Sequence, residues 1–291
     1  MTSASQAENP DRVFVRFWGV RGSIPTPGPS TVRYGGNTSC VELRINGEII
    51  VIDAGSGIRN LGDALLKESA GKPINLTLLN THTHWDHIQG FPFFAPAFIK
   101  GNWIRVIGRN SLPDGLKGVF ERQMDGTRCF PVPFAALGAD VEFETIDEES
   151  GLVFQIDSVK VEACPSNHPG GCLAYKVLTP LGKVVFLLDH ETGGPDEPLI
   201  LEFIRDATLL IADAQYTADE AFARRGWGHG CVDSIVEMAL RADVRRLVLF
   251  HHDPLHDDTF LDGMLKRARS LVPAAYSLEV LAAMEGQQID F

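Results

Sequence analysis

Thr81-His82-Thr83-His84-Trp85-Asp86-His87 places four metal-ligand side chains within six positions. Neutral imidazoles and a carboxylate are first-choice ligands for zinc, manganese or iron. The run before it, Ile74-Asn75-Leu76-Thr77-Leu78-Leu79, reads as a buried β-strand, so the cluster falls where a strand ends and a helix can begin. Side chains of an extended segment repeat every second residue, which aims His82 and His84 the same way. Asp86 and His87 follow the turn and can aim at a second point. The spacing therefore suits two metals better than one. A histidine-rich surface loop would lack both the buried strand before it and matching ligands downstream.

Matching ligands do follow. Pro165-Ser166-Asn167-His168-Pro169 puts a histidine in a loop after a strand. Val184-Val185-Phe186-Leu187-Leu188-Asp189 is an apolar strand closed by a carboxylate, and Leu247-Val248-Leu249-Phe250-His251-His252 is another closed by histidines. Taken singly, His168 reads equally as a surface loop residue and Asp189 as a helix cap. Together they describe several strand ends converging on one point.

The elements that must bring them there are legible in outline. Strands are expected at Val13–Trp18, Val41–Ile45, Ile49–Ile52, Ile104–Ile107, Val141–Thr145, Val159–Cys164, Leu173–Leu178, Val184–Leu188, Leu209–Ala212 and Leu247–Phe250. Asn46-Gly47 is the strongest hairpin signal in the chain. Helices are expected near Ile58–Leu66, Pro198–Ile204, Val232–Arg241 and Thr259–Leu271. Gly22–Pro29 carries too much glycine and proline for either state and must be a loop. Hairpin-rich β structure, helix, then the same mixture again would be buried by helices packed outside two stacked sheets. We read residues 1–12 as a polar lead-in and 13–291 as one domain.

Composition sets bounds. The chain has 291 residues and 44% hydrophobic content, enough for a substantial core. It shows no membrane-length apolar run, and the polar stretch Met1–Asp11 leads us to expect no secretory leader. Five scattered cysteines, odd in number, fit reduced thiols in a cytoplasm. A formal net charge of −12 argues against a broad nucleic-acid surface, although two divalent cations would reverse the field locally. We expect no stable nucleic-acid partner and no membrane partner, and a homodimer is allowed.

With these residues in this order, the chain resembles the metallo-β-lactamase superfamily of dinuclear metal hydrolases, from about Val13 to Pro254. The resemblance implies an α+β fold, the αββα four-layer sandwich. Carried over, it implies that His82, His84 and His168 hold one divalent ion and that Asp86, His87 and His251 hold a second, with Asp189 bridging. His252 competes with His251 for the last place. His251 is preferred because the family's ligand follows the apolar strand at once. Asp53 matches an early aspartate that supports the ligand loop.

An aspartate bridge together with Asp86 is the pattern of the phosphodiesterase, tRNase Z and glyoxalase branches. Leu210–Gln215 resembles the HEAT segment of tRNase Z, with Asp213 in place of its Glu, and Gly228-His229-Gly230-Cys231 resembles its later His-Ser-Thr segment. Asp213, His229 and Asp86 are thereby the expected catalytic residues. Only twenty residues separate His168 from Asp189, which leaves no room for the tRNA-gripping arm of tRNase Z. The N-terminal segments Phe17–Pro25 and Tyr34–Cys40 look like those of bacterial members near cyclic-nucleotide phosphodiesterases.

The resemblance thus implies a small phosphodiester substrate and two ions, zinc first, manganese or iron next. The enzymatic rivals are a carboxyl-ester, thioester or lactone hydrolase and a tRNA 3′-processing endonuclease. Outside hydrolysis, an iron-bound redox protein or a pure metal-binding module of this fold remain as rivals. Arg21 and Arg33 read as exposed, solvated side chains first and as candidates for phosphate contact second. Phe91, Phe93, Phe94 and Phe98 read as core packing first and as a nucleobase wall second.

Overall fold

The computed structural model describes residues 13–109, 115–146 and 152–291; the expected lead-in at 1–12 lies outside the described residues. The first half of the chain supplies β1 (Phe14–Gly19), β2 (Cys40–Ile45), β3 (Glu48–Ile52), α1 (Ile58–Ser69), β4 (Asn75–Asn80), the single turn α2 (Trp85–Ile88), β5 (Trp103–Arg109), α3 (Gly115–Gln123) and β6 (Asp140–Ile146). The second supplies β7 (Val153–Ile156), β8 (Val159–Ser166), β9 (Cys172–Thr179), β10 (Gly182–Leu187), α4 (Glu197–Ile204), β11 (Leu209–Asp213), α5 (Ala218–Ala223), α6 (Val232–Arg241), β12 (Arg246–Phe250), α7 (Asp258–Ser270), β13 (Glu279–Ala282) and β14 (Gln288–Asp290).

Two seven-stranded sheets result, ordered β14-β1-β2-β3-β4-β5-β6 and β13-β12-β11-β10-β9-β8-β7. Period-two alternation decides the layers. Phe17, Leu43, Ile50 and Ile52 of one sheet meet Tyr175, Phe186, Ile211 and Phe250 of the other in the central core. Their neighbours Cys40, Val51, Leu76 and Leu78 face outward to Leu61 and Leu65 of α1. On the far side Val185, Leu187, Leu210 and Leu249 receive Ile200 of α4, Ile235 of α6 and Leu261 of α7. Helix, sheet, sheet, helix is the expected four-layer sandwich.

Within each sheet, antiparallel hairpins give way to parallel strands: β3 to β6 in one, β10 to β13 in the other. Parallel strands share a carboxyl edge, where loops gather and ligands bind in open α/β sheets. The β2–β3 hairpin turns on Asn46 (φ 52°) and Gly47 (φ 84°), the positive pair that a tight two-residue hairpin requires. Helix α6 buries Val232, Ile235, Val236 and Ala239, a 3.6-period face.

Five elements were not anticipated: α3, α5, β7, β13 and β14. All three strands are short and lie at the outer margins of the sheets, where long-range pairing rather than local pattern makes them. The Phe91–Phe98 stretch divides. Phe91 and Phe94 are buried against α1, as expected, whereas Phe93 is 59% exposed and packs edge-on to Phe130.

Candidate metal centre

Every expected ligand lies at the shared carboxyl edge. The Thr81–His84 segment continues β4, Asp86 and His87 sit on α2, His168 follows β8, Asp189 follows β10 and His251 follows β12. Ligand-type atoms of His82, His84 and His168 lie within 4.8 Å of one another, and so do those of Asp86, His87 and His251. Asp189, buried between the sets, divides its oxygens. Oδ2 is 3.7 Å from His82 Nε2 and 3.6 Å from His168 Nε2, while Oδ1 is 3.3 Å from His87 Nε2 and 3.4 Å from His251 Nε2.

The imidazoles are oriented from behind. His87 Nδ1–H donates to Asp53 Oδ2 (2.6 Å) and His168 Nδ1–H to the Gly228 carbonyl (2.8 Å). His251 Nδ1–H donates to Gln215 Oε1 (2.9 Å), an amide set by its own bond to Asp253. Thr81 Oγ1 gives its proton to Asp53 and so accepts from His82 Nδ1 at 3.1 Å. In each neutral ring this tautomer leaves Nε2 bare and inward, as metal-ligating histidines require. His84 faces the others with Nδ1, 3.0 Å from His168 Nε2.

The donors fit a pair of divalent cations. His84 Nδ1 opposes His168 Nε2 at 3.0 Å, and His87 Nε2 opposes His251 Nε2 at 3.3 Å, so ligand nitrogens face each other in pairs across a gap that a proton or a cation must fill. His82 Nε2 and Asp189 Oδ1 are buried without a hydrogen-bond partner. Such arrangements are costly unless a cation lies between the atoms. Two ligands at zinc distances in a tetrahedral set are about 3.4 Å apart, close to the spacing seen here. Burial pushes His82, His84 and His168 below the ordinary imidazole value, toward the ligating form. His87 is the exception: burial opposes its charge, but Asp86, Asp189 and Asp53 outweigh it and hold a proton that a cation would replace.

Asp53 carries more than its resemblance implied. Besides His87 it accepts the Thr81 N–H (2.8 Å), tying β3 to the first ligand segment, and it adopts φ 62° to do so. Asp86 accepts the Ser23 N–H at 2.7 Å, which anchors the Gly22–Pro29 loop to the centre.

Backbone geometry sends the two adjacent histidines in different directions. His251 takes φ 60° and turns inward; His252 turns away, its Nε2–H bonded to the Ala283 carbonyl at 2.9 Å. Burial pushes His252 down to about 3, so it is a neutral packing residue. His190 likewise is driven to about 4 by burial and sits against Ser166, whose hydroxyl donates to the Asp189 carbonyl at 2.6 Å.

Asp213 and His229 come together beside this cluster. His229 Nδ1 is 2.9 Å from Asp213 Oδ2 and 3.8 Å from Asp189 Oδ2. Burial lowers the His229 pKa, but Asp213 overrides it and lifts the imidazole to about 9. Nδ1–H is committed to Asp213, leaving Nε2 for a ligand. The loop is pinned by Glu191, which accepts the Gly226 and Gly228 N–H groups at 2.9 and 2.8 Å.

The first expectation for these two arginines, an exposed and solvated side chain, fails for Arg21 and holds for Arg33. Arg21 is neither exposed nor solvated: it is fully buried and donates to the carbonyls of Gly35, Asp253 and His256. Arg33 is exposed but forms a two-pronged pair with Asp262. Sequence reading also passed over Gln215 and Glu191. A polar side chain just past β11 was a signal for the first; Glu191 has none, because only the loop packing reveals its acceptors.

Comparison with known proteins bears on the family and the fold. The sequence pattern of the family described as "Beta-lactamase superfamily domain" matches residues 48–252. Ribonuclease Z of Lactococcus lactis subsp. cremoris (strain SK11) is 24% identical over 286 residues, covering 81% of this chain and 89% of that one. Among solved structures, the metallo-beta-lactamase fold protein YhfI of Bacillus subtilis superposes with a TM-score of 0.71 at 18% identity, covering 97% of this chain and all of that one. A diphosphatase from the PhnP family gives 0.68 at 16% identity, covering 96% and 98%.

Proposed function

The chain belongs to the beta-lactamase superfamily, and from that premise we propose that this hydrolase uses two divalent metal ions to cleave small phosphodiesters, cyclic nucleotides among them. The observation that carries the reading is the Asp213–His229 pair set 3.8 Å from the carboxylate that both histidine sets share. Carboxyl-ester and lactone hydrolysis gives an acid–imidazole pair at that place no evident task. A phosphodiester with a poor leaving group needs a proton donor beside phosphorus.

In this reading His82, His84 and His168 would hold one ion, Asp86, His87 and His251 the other, and Asp189 both. When bound, the pair supplies Lewis-acid charge for the phosphoryl oxygens and a water of lowered pKa. The chain's own groups do the rest. Asp53, Gln215 and the Gly228 carbonyl keep the imidazoles in the ligating tautomer. Asp213 holds His229 so that its Nε2–H is presented to the departing oxygen, and stabilises the charged ring until the proton is given up.

Substrate size is read from the β9–β10 connection. The residues between His168 and Asp189 are consumed by these two strands, paired in a tight hairpin from Thr179 to Gly182. The alignment with ribonuclease Z is longer than the part of this chain that it uses, so that relative carries segments this chain lacks. Both features favour small diesters over precursor tRNA.

Protein of defined metal content should hydrolyse bis-p-nitrophenyl phosphate and cyclic nucleotides and leave precursor tRNA uncut. A lactone rate far above every diester rate, or efficient tRNA 3′-end cleavage at physiological salt, would overturn the proposal.

A further inference from the structure

Arg109 closes β5 at the same carboxyl edge as the ligands. Its neighbour Gly108 pairs with Asn80, the residue just before Thr81-His82. Ile107 faces the space between the sheets, and two residues on Arg109 takes that face again, over the mouth of the centre. The guanidinium reaches the loop that carries His168: a Cβ built on Gly171 would lie 1.9 Å from Arg109 Nη1, and one on Gly170 3.8 Å from His84 Nε2. Both positions have positive φ (81° and 85°), so this Gly-Gly step leaves room for the arginine by shape and by backbone.

Among the described residues Arg109 finds no hydrogen-bond or ion-pair acceptor, in contrast to Arg105 on the same strand, which is paired with Glu144. In a chain of net charge −12, a half-buried guanidinium with no carboxylate partner among the described residues is conspicuous. Its planar fork of donors matches phosphate oxygens, and burial without an acceptor is unfavourable.

We propose that Arg109 binds a second phosphate group of the substrate, one that is not cleaved, and so sets a preference for diesters carrying a neighbouring phosphate. This rests on the phosphodiesterase reading above. The cleaved group must sit among the Asp189-centred donors and His229. Arg109 stands one residue farther out along the loop, against Gly171, whose N–H closes a turn onto the His168 carbonyl at 3.0 Å. The residue positions substrate and takes no part in proton transfer.

The test compares two substrates with identical scissile bonds: the p-nitrophenyl ester of thymidine 5′-phosphate, and the same ester bearing a 3′-phosphate. The wild-type enzyme should prefer the second by about 10- to 100-fold in kcat/KM, the range for a charge-assisted hydrogen bond, and mainly through KM. Arg109→Gln should bring the ratio near one, and Arg109→Lys should restore part of it. General damage to the fold lowers both rates and keeps the ratio. A ratio that survives in Arg109→Gln, or a wild-type ratio near one, overturns the assignment of Arg109 alone. Absence of turnover of both esters by a metal-loaded enzyme that opens lactones overturns the phosphodiesterase reading, and this inference with it.

Discussion

Replacing His229 by alanine should slow hydrolysis in proportion to how badly the leaving group needs a proton. An alkoxide leaving from a cyclic nucleotide or alkyl ester departs poorly unprotonated, so loss of the general acid should cost about 10²–10⁴-fold. p-Nitrophenolate leaves readily, and its esters should lose much less. The structure also sizes a milder change. Asp213, 2.9 Å from His229 Nδ1, lifts the imidazole to about 9 against the opposing effect of burial, so the ring is almost fully protonated at pH 7. Asp213→Asn removes that charge; with the lesser raising charges of Asp189 and Asp86 offset by bound cations, the ring returns to its ordinary value of about 6.5 or below, which leaves roughly a quarter protonated at pH 7. The poor-leaving-group rate should fall at least about fourfold and recover toward pH 5.5 while metal remains bound. The sign follows from the acid being the protonated form: in the wild-type enzyme the rate on alkyl esters declines as pH rises through the His229 pKa. Bound cations repel the imidazolium and move that limb to or below about 9. The assay is kcat/KM against pH for a cyclic nucleotide and for bis-p-nitrophenyl phosphate, with metal content measured on each variant. Equal losses on both substrates would remove His229 from the acid role and return it to substrate positioning.

Elemental analysis of gently purified protein should approach two equivalents of zinc, manganese or iron; a single equivalent that persists after reconstitution counts heavily against a dinuclear centre. Asp189→Ala should impair both equivalents, because its two oxygens face different histidine sets. His252→Ala should keep both while lowering stability by about 1–3 kcal/mol through the lost buried contact with Ala283, measured by denaturant unfolding; metal loss in that variant would mean the wrong histidine was chosen. Gly22→Ala puts a Cβ 2.5 Å from the His251 ring and 2.9 Å from Gln215 Oε1, so metal content should fall toward one equivalent with the fold kept. Full content with unchanged affinity would show that the loop yields instead.

Much of the interior was legible because its signals are local. Alternation located β1 to β6 and β8 to β12 to within a few residues, since a strand buried on one or both faces must show its faces in sequence. Ligand-type residues closing apolar strands pointed to a common edge, as parallel strands demand. The α5 helix was also within reach: Thr217 and Glu220 form the capping box whose Thr-x-x-Glu spacing is visible in the chain. By contrast β14 consists of three residues, and only pairing with β1 across most of the chain makes it a strand.

Local sequence by itself determined the strand ends, the ligand types and their order, because side-chain periodicity and metal chemistry act over a few residues. Tertiary structure decided what depends on direction and distance between remote segments. A positive φ turned His251 inward and His252 toward Ala283. Packing buried Arg21 among three carbonyls, where its sequence allowed an exposed cation. It brought Gln215 behind His251, joined Asp213 to His229 across sixteen residues and left Arg109 against a bare Gly-Gly step. None of these contacts has a local signature, because each exists only once two sheets have closed on each other and brought their carboxyl edges together.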